Sequence, residues 1–394
     1  MDELLNPFRP GAGAPPPELV GRDRLIDAFG VTLRRAMAGR PGKSLLLVGL
    51  RGVGKTVLLN RFAEIAEDEG ASVGHIEAGD SADFSAQLAQ RLRRILLRFD
   101  RHKPSAAVLR GLRALKGFSV HLPDGSAISL DVDALRGVAD SGVLADDVVD
   151  LFEAVGDAAR EVDLSVLIVI DEMQALSQEQ VAALVSAVHR SVQRSLPLVL
   201  VGAGLPQLPA LLAASRSYAE RAFDVTEIGR LSDADAAAAI AVPALRQGLA
   251  FTDDAIARVV ERTSGYPYFL QEWGYHLWNA ARRSPVTLAD VTAVETEVVA
   301  DLDRSFFRVR YERLTERERA YALAMAGLGP GAHRSGEVAA ALGISVETAA
   351  PRRAALIAKG LVHSPARGLT AFTVPMFDSY LRRRITAGDE GQDG

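Results

Sequence analysis

The sequence predicts an α/β protein in which a parallel sheet with helices on both faces is followed by a helical unit and then by a helix–turn–helix unit with a two-stranded wing. Three observations predict it. Short apolar runs bounded by Gly and polar residues alternate with helix-period segments over residues 1–230, as stacked β–α units do. The strand pattern then stops, and four segments of helical spacing fill residues 231–300. Three helical segments, the last two a helix–turn–helix pair, and an alternating segment follow over residues 301–386.

Taken in order, residues 7–17 are rich in Pro and Gly and read as an extended arm before the helical pattern at 24–37. Residues 44–48 are an apolar run suited to a strand buried on both faces. A helix at 56–67, a strand at 71–76 and an amphipathic helix at 83–99 follow. Residues 105–116 are helical. Residues 118–130 alternate around Pro123-Asp124-Gly125, which predicts a hairpin inserted within about 100–145. Helix 146–161 leads to strand 164–170, then strands at 198–201 and 223–228. Ser232 and Thr252 are caps for helices at 232–244 and 252–263, with further helices at 268–283 and 287–301. In the last unit a helix at 316–326 precedes the pair 336–342 and 349–359, and residues 361–374 turn at 365–368 as a wing. Thr348 is preferred to Ser345 as cap of the second helix, because Pro351 then falls in the first turn.

Composition limits the function. At roughly 150 residues per domain, 394 residues allow two or three domains. The chain is 48% hydrophobic and 24% charged, which excludes a disordered or collagenous protein. It has no cysteine, so disulfides, iron–sulfur clusters and thiolate zinc sites are excluded. The 5 Lys against 40 Arg read as genome bias. Residues 1–10 carry no apolar core of a signal peptide, and the charge-free stretch 195–215 is broken by Pro197, Pro206 and Pro209. A soluble, cytoplasmic chain with no membrane partner is expected.

Gly49-Leu50-Arg51-Gly52-Val53-Gly54-Lys55-Thr56 fits the phosphate-loop pattern between a strand and a helix, the context that the pattern demands. Gly49, Gly52, Val53, Gly54 and the following Val57 would bring backbone N–H groups to a phosphate at the positive end of the helix. Lys55 would neutralise phosphate charge, and the Thr56 hydroxyl would ligate Mg²⁺. The strand 164–170 runs into Asp171-Glu172, and the carboxyl end of a parallel strand faces the phosphate loop. Asp171 would hold Mg²⁺, and Glu172 would take the proton of the attacking water. Gln174 is read as helix surface in preference to facing the terminal phosphate.

These motifs, the helical unit and the winged unit together resemble AAA+ ATPases of the origin-recognition and initiator clade, and are similar also to the related archaeal-type and STAND ATPases. The resemblance implies ATP and Mg²⁺ as ligands, and slow, oligomer-dependent hydrolysis by a homo-oligomer formed when ATP is bound. It places Val20, Gly21 and Arg22 in the box that lines the adenine pocket, and Pro267 of Gly265-Tyr266-Pro267 in the lid element over the base. It makes Arg221 a candidate arginine finger, with Arg216 second. The chain departs from the family at Val201-Gly202-Ala203-Gly204, where a polar sensor residue is usual, unless Gln207 substitutes.

The domains so read are 1–230, 231–300, 301–386 and a disordered acidic tail, 387–394. The whole chain carries 45 basic and 50 acidic residues, a net −5, which as a bulk figure argues against nucleic acid. Its distribution argues the other way: residues 301–386 hold 14 basic and 8 acidic residues, a net +6. Arg352, Arg353, Lys359 and Arg367 are the candidate contacts to double-stranded DNA, mostly to phosphates. The alternative is a STAND-like signalling ATPase or a mobile-element regulator whose winged helix contacts a protein partner.

Overall fold

The computed structural model describes every residue except 12, 80–83, 121–131, 216–218 and 387–394. The chain divides into two compact units. One comprises Arg22–Gly49 and Lys55–Ile228; the other comprises Met1–Gly21, Leu50–Gly54 and Gly229–Gly394. The phosphate-loop residues 50–54 and the N-terminal arm therefore belong with the C-terminal part.

In the first unit, α1 (Asp23–Met37) precedes β1 (Ser44–Val48), α2 (Lys55–Asp68), β2 (Ser72–Glu77) and α3 (Phe84–His102). Next come α4 (Ala106–Val120), α5 (Leu144–Glu161), β3 (Val166–Asp171), α6 (Gln178–Gln193) and β4 (Leu198–Gly204). Two short helices, α7 (Leu208–Ser215) and α8 (Ala219–Ala222), lead to β5 (Phe223–Glu227). The five strands form one parallel sheet in the order β2-β3-β4-β1-β5. All residues of β1, β3 and β4 are buried, which explains why these strands read as continuous apolar runs. The α6 helix has a full capping box between Ser177 and Gln180. Of the expected hairpin, Phe118 is instead buried in the last turn of α4, and residues 121–131 lie outside the described residues.

In the second unit, α9 (Asp233–Arg246), α10 (Asp253–Thr263), α11 (Pro267–Ala280) and α12 (Leu288–Leu302) form the helical part. A single π-turn, Asp303–Phe307, carries the chain into α13 (Arg308–Glu312). Then follow α14 (Glu316–Gly327), β6 (His333–Arg334), α15 (Ser335–Ala341), α16 (Val346–Ala358), β7 (Val362–His363), β8 (Leu369–Phe372) and α17 (Phe377–Thr386). The strands form an antiparallel sheet in the order β6-β8-β7, and with α14–α16 this is consistent with a winged helix. Ser345, not Thr348, caps α16: its hydroxyl accepts from the Thr348 N–H at 3.2 Å. Pro351 consequently lies inside the helix rather than in its first turn.

The arm is not a free extension. Phe8 is buried in the core of this unit beside Gly274 of α11, where a Cβ would come within 2.4 Å of the ring. The Trp278 indole N–H donates to the Asp2 carbonyl at 2.9 Å, and Asn6 Nδ2 donates to Asn279 Oδ1 at 2.8 Å. Among the described residues, no helix is long and apolar enough to cross a membrane.

Candidate active site

The first unit brings five of the expected residues together, Gly49, Lys55, Thr56, Asp171 and Glu172. The Gly49 N–H donates to the Gly204 carbonyl at 3.1 Å, which ties the start of the phosphate loop to the end of β4. Lys55 opens α2, is buried, and its Nζ donates to the Gly49 carbonyl at 2.9 Å. Thr56 Oγ1 donates to Asp171 Oδ2 at 2.6 Å. A hydroxyl and a carboxylate in contact are the hard oxygen donors that Mg²⁺ takes, so this pair fits the ion. Asp171 is buried, and its second oxygen accepts from the Glu172 N–H at 2.8 Å. Val57 follows on α2, half-buried.

Glu172 has a left-handed backbone, φ +54°, an unfavourable conformation for a residue with a Cβ that is typical of functional turns. The turn aims its carboxylate at Gln174, whose Nε2 donates to Glu172 Oε2. Gln174 Oε1 in turn accepts from the Leu205 N–H at 2.9 Å. Gln174 is thus half-buried between β3 and β4, and the helix-surface expectation does not hold. Burial also pushes the His75 imidazole down, although Asp171 lies near enough to oppose the shift.

The remaining loop residues are held within the second unit. Gly52 and Gly54 have φ of +79° and +93°, conformations that glycine alone adopts at little cost. The Tyr268 N–H donates to the Gly52 carbonyl at 3.2 Å, and the Arg51 N–H donates to the Thr373 carbonyl at 3.2 Å. Val53 is fully buried. The Tyr268 ring stacks on Phe306 at 4.6 Å, and the Arg310 guanidinium lies over Phe306 at 3.9 Å. Burial, Arg51 and Arg313 lower the Arg310 pKa to about 10, which leaves it cationic at neutral pH. Tyr268 Oη donates to Glu272 Oε1 at 2.7 Å, and burial raises both groups. Pro267 is the first residue of α11, next to the residue that bonds the loop. Gly265 (φ +68°) bonds Leu231 and leaves no space for a Cβ. Val20 packs against the core of this unit, and Gly21 faces Asp235. Arg22 belongs to the other unit, where it precedes α1.

Arg221 stands apart from this cluster. It is exposed in α8 just before β5, whose first residue pairs with Ser44 at the start of β1. Lys55 lies beyond the opposite end of β1, about 15 Å of strand away. Arg221 therefore does not serve the Lys55 site of its own chain, and Arg216 lies outside the described residues.

The basic candidates of residues 301–386 separate into two pairs. Arg353 Nε donates to Thr370 Oγ1 at 2.7 Å, and its Nη2 also reaches Ser364 and Leu369. Lys359 Nζ donates to Glu318 Oε2 at 2.6 Å and to the Arg313 carbonyl at 3.0 Å. These two side chains brace the wing and α14. Arg367, in the β7–β8 turn, is exposed, and Arg352 is half-exposed on α16.

Sequence reasoning missed Gln174 as a partner of Glu172, Tyr268 and Thr373 as partners of the loop, and Phe8 as core. Only Gln174 left a signal: the small residues Gly202 and Gly204 make room for the segment that carries it.

Residues 18–201 match the family described as AAA ATPase domain. Residues 304–381 match a family described as a domain of unknown function, DUF8462. No curated protein matches the chain. Among solved structures, the Walker-type ATPase PABY2304 of Pyrococcus abyssi is 14% identical, over 96% of this chain and 99% of that one, with a TM-score of 0.59. The Aeropyrum pernix ORC1 protein in complex with DNA is 16% identical over 95% of each chain, with a TM-score of 0.46. The Thermotoga maritima RuvB Holliday junction branch migration motor is 15% identical over 92% of this chain and 95% of that one, with a TM-score of 0.45. At these identities the similarity to the first of them is one of fold.

Proposed function

We propose that this chain, which carries an AAA ATPase domain and so binds ATP with Mg²⁺ and hydrolyses it, uses the nucleotide to switch how its C-terminal unit engages double-stranded DNA. The observation that carries the gating is the pair of backbone hydrogen bonds from loop residues Arg51 and Gly52 to Thr373 and Tyr268. A phosphate loop that shifts when its phosphates change pulls on the segment after β8 and on α11. The net +6 of residues 301–386, with Arg352 and Arg367 turned outward, supports DNA as the partner.

In this reading Lys55 holds phosphate charge, and Thr56 and Asp171 hold Mg²⁺. The ion neutralises charge on the phosphate oxygens when bound. Glu172 takes a proton from the attacking water as that water's oxygen bonds the terminal phosphorus and the bond to the ADP oxygen breaks. Arg221 acts on a neighbouring subunit of an ATP-bound homo-oligomer.

A second reading has a specific observation behind it. Arg353 is held by Thr370 and Lys359 by Glu318, which leaves Arg352 as the one arginine of α16 not engaged by the wing, and this favours a protein partner in the manner of a STAND-like regulator.

The test is duplex DNA affinity of the full chain with ATP, with ADP and with neither. The switch predicts affinities that differ at least severalfold between ATP and ADP. Equal affinities sink the gating, and no binding in any state favours the protein partner. The roles at the site have their own check. Lys55→Ala is expected to lose ATP binding, whereas Glu172→Gln keeps it and loses at least about a hundredfold in turnover. Normal turnover by Glu172→Gln would remove Glu172 as the base.

A further inference from the structure

The end of β4 is where a polar side chain would be expected to watch the nucleotide, yet Gly202, Ala203 and Gly204 offer none. The structure explains the two glycines. A Cβ on Gly202 would lie 2.0 Å from Met173 Sδ, and one on Gly204 would lie 3.0 Å from Gln174 Oε1 and 2.8 Å from Leu208 Cδ2. β4 therefore ends in small residues because the 3₁₀ turn Met173–Ala175, which follows β3, leans into that space.

The side chain this turn delivers is Gln174, and both ends of its amide are used. Nε2 donates to Glu172 Oε2, and Oε1 accepts the N–H of Leu205, the first residue after β4. The polarity fixes the amide: a backbone N–H needs the oxygen and an ionised carboxylate needs the nitrogen, so a flipped amide would lose both bonds. An unbroken chain of hydrogen bonds then runs from Thr56 through Asp171, Glu172 and Gln174 to Leu205.

We infer that Gln174 is the positioning residue of the hydrolytic reaction: it fixes the orientation of the Glu172 carboxylate and ties that orientation to the segment that follows β4. This rests on Glu172 being the base. Gln174 does not take part in bond making. It removes rotamer freedom from a glutamate whose left-handed backbone already aims it. An error of about 1 Å in the placement of a catalytic group costs about a hundredfold in rate. The segment after β4 contains α7 and α8, the latter bearing Arg221, so a movement there reaches Glu172 through one side chain.

The experiment is a double-mutant cycle on the full chain, with ATP affinity and turnover measured separately. Gln174→Ala is expected to lower kcat ten- to a hundredfold while the ATP Kd changes less than about threefold. In a Glu172→Gln background, the same Gln174→Ala change is expected to alter the residual rate less than about twofold. Equal loss in both backgrounds, a parallel loss of ATP affinity, or an unchanged or raised kcat in Gln174→Ala overturns the inference. If Gln174→Ala does not fold, Gln174→Met keeps the volume between β3 and β4 and removes both hydrogen bonds, and the same outcomes apply. The Glu172→Gln arm separates the two readings: normal turnover there refutes the base itself, whereas loss there with additive effects refutes Gln174 alone.

Discussion

Gly274 has no room for a methyl group, and its neighbour is the ring of Phe8, more than 260 residues earlier. Gly274→Ala gains about 1 kcal/mol of helix propensity in α11 but displaces a buried ring whose burial contributes about 1.5–3 kcal/mol. The loss wins, so a net destabilisation of about 1–2 kcal/mol is expected, read as a lower melting temperature. In a Phe8→Ala background the same change should become neutral or stabilising. If it destabilises equally there, Phe8 is not what the glycine accommodates. Phe8 also shows what a sequence conceals. Lys55, Thr56, Asp171 and Glu172 are legible because their spacing is itself the chemistry: a loop, a helix start and a strand end in register. Phe8, Tyr268 and Gln174 act through partners that are distant in sequence or set by an unusual backbone angle, and no periodicity records those.

At the scale of elements, the inner strands β1, β3 and β4 are readable because each is buried on both faces and so is an almost continuous apolar run, whereas the edge strands β2 and β5 carry exposed and polar residues. β6 is not readable: two residues paired to β8 are too short to carry a pattern. The start of α16 was misplaced for a physical reason. Avoiding a proline inside the helix favoured Thr348, but the Ser345 hydroxyl is the one that accepts the Thr348 N–H, and the helix accepts Pro351. The end of α16 yields a prediction. Glu318 is buried against Lys359; burial opposes its ionised form, but the Lys359 and Thr315 hydrogen bonds prevail and hold its carboxyl below the usual range. A carboxylate whose folded pKa is depressed adds stability above its unfolded pKa and loses it as pH falls through the folded value. Lys359→Ala should therefore lower the melting temperature at neutral pH, by a cost of about 1–3 kcal/mol, and the deficit should shrink under acid. Arg367→Ala, in the exposed turn, should leave melting unchanged and weaken DNA binding. The reverse ranking would make Lys359 a DNA contact and Arg367 a structural one.

For the whole molecule, the net charge of −5 conceals an uneven distribution, since residues 1–300 carry −8 and residues 301–386 carry +6. The structure reduces how much of that positive charge a duplex could use. Arg304, Arg308, Arg382 and Arg383 are paired with Asp301, Glu312, Asp378 and Asp303, and Lys359 with Glu318. Arg353 is spent on the wing. Arg310, Arg319 and Arg384 lie over the rings of Phe306 and Tyr311, and among the described residues Arg313, Arg317, Arg334, Arg352 and Arg367 remain, exposed or half-exposed, with no ion pair to a carboxylate. Each phosphate neutralised contributes about −0.9 to the slope of log affinity against log salt, so five cations set a limit near −4.5. Full-chain binding to a duplex, followed from about 50 to about 200 mM salt, should give a slope between about −2 and −4.5. A slope near −8 would mean that the internal ion pairs open on binding and that the wing is rebuilt on DNA. A slope near zero would mean that the basic surface is not what meets the partner. Replacing Arg352 and Arg367 together should make the slope shallower by about 2 if both reach phosphates, and an unchanged slope would exclude both from the contact.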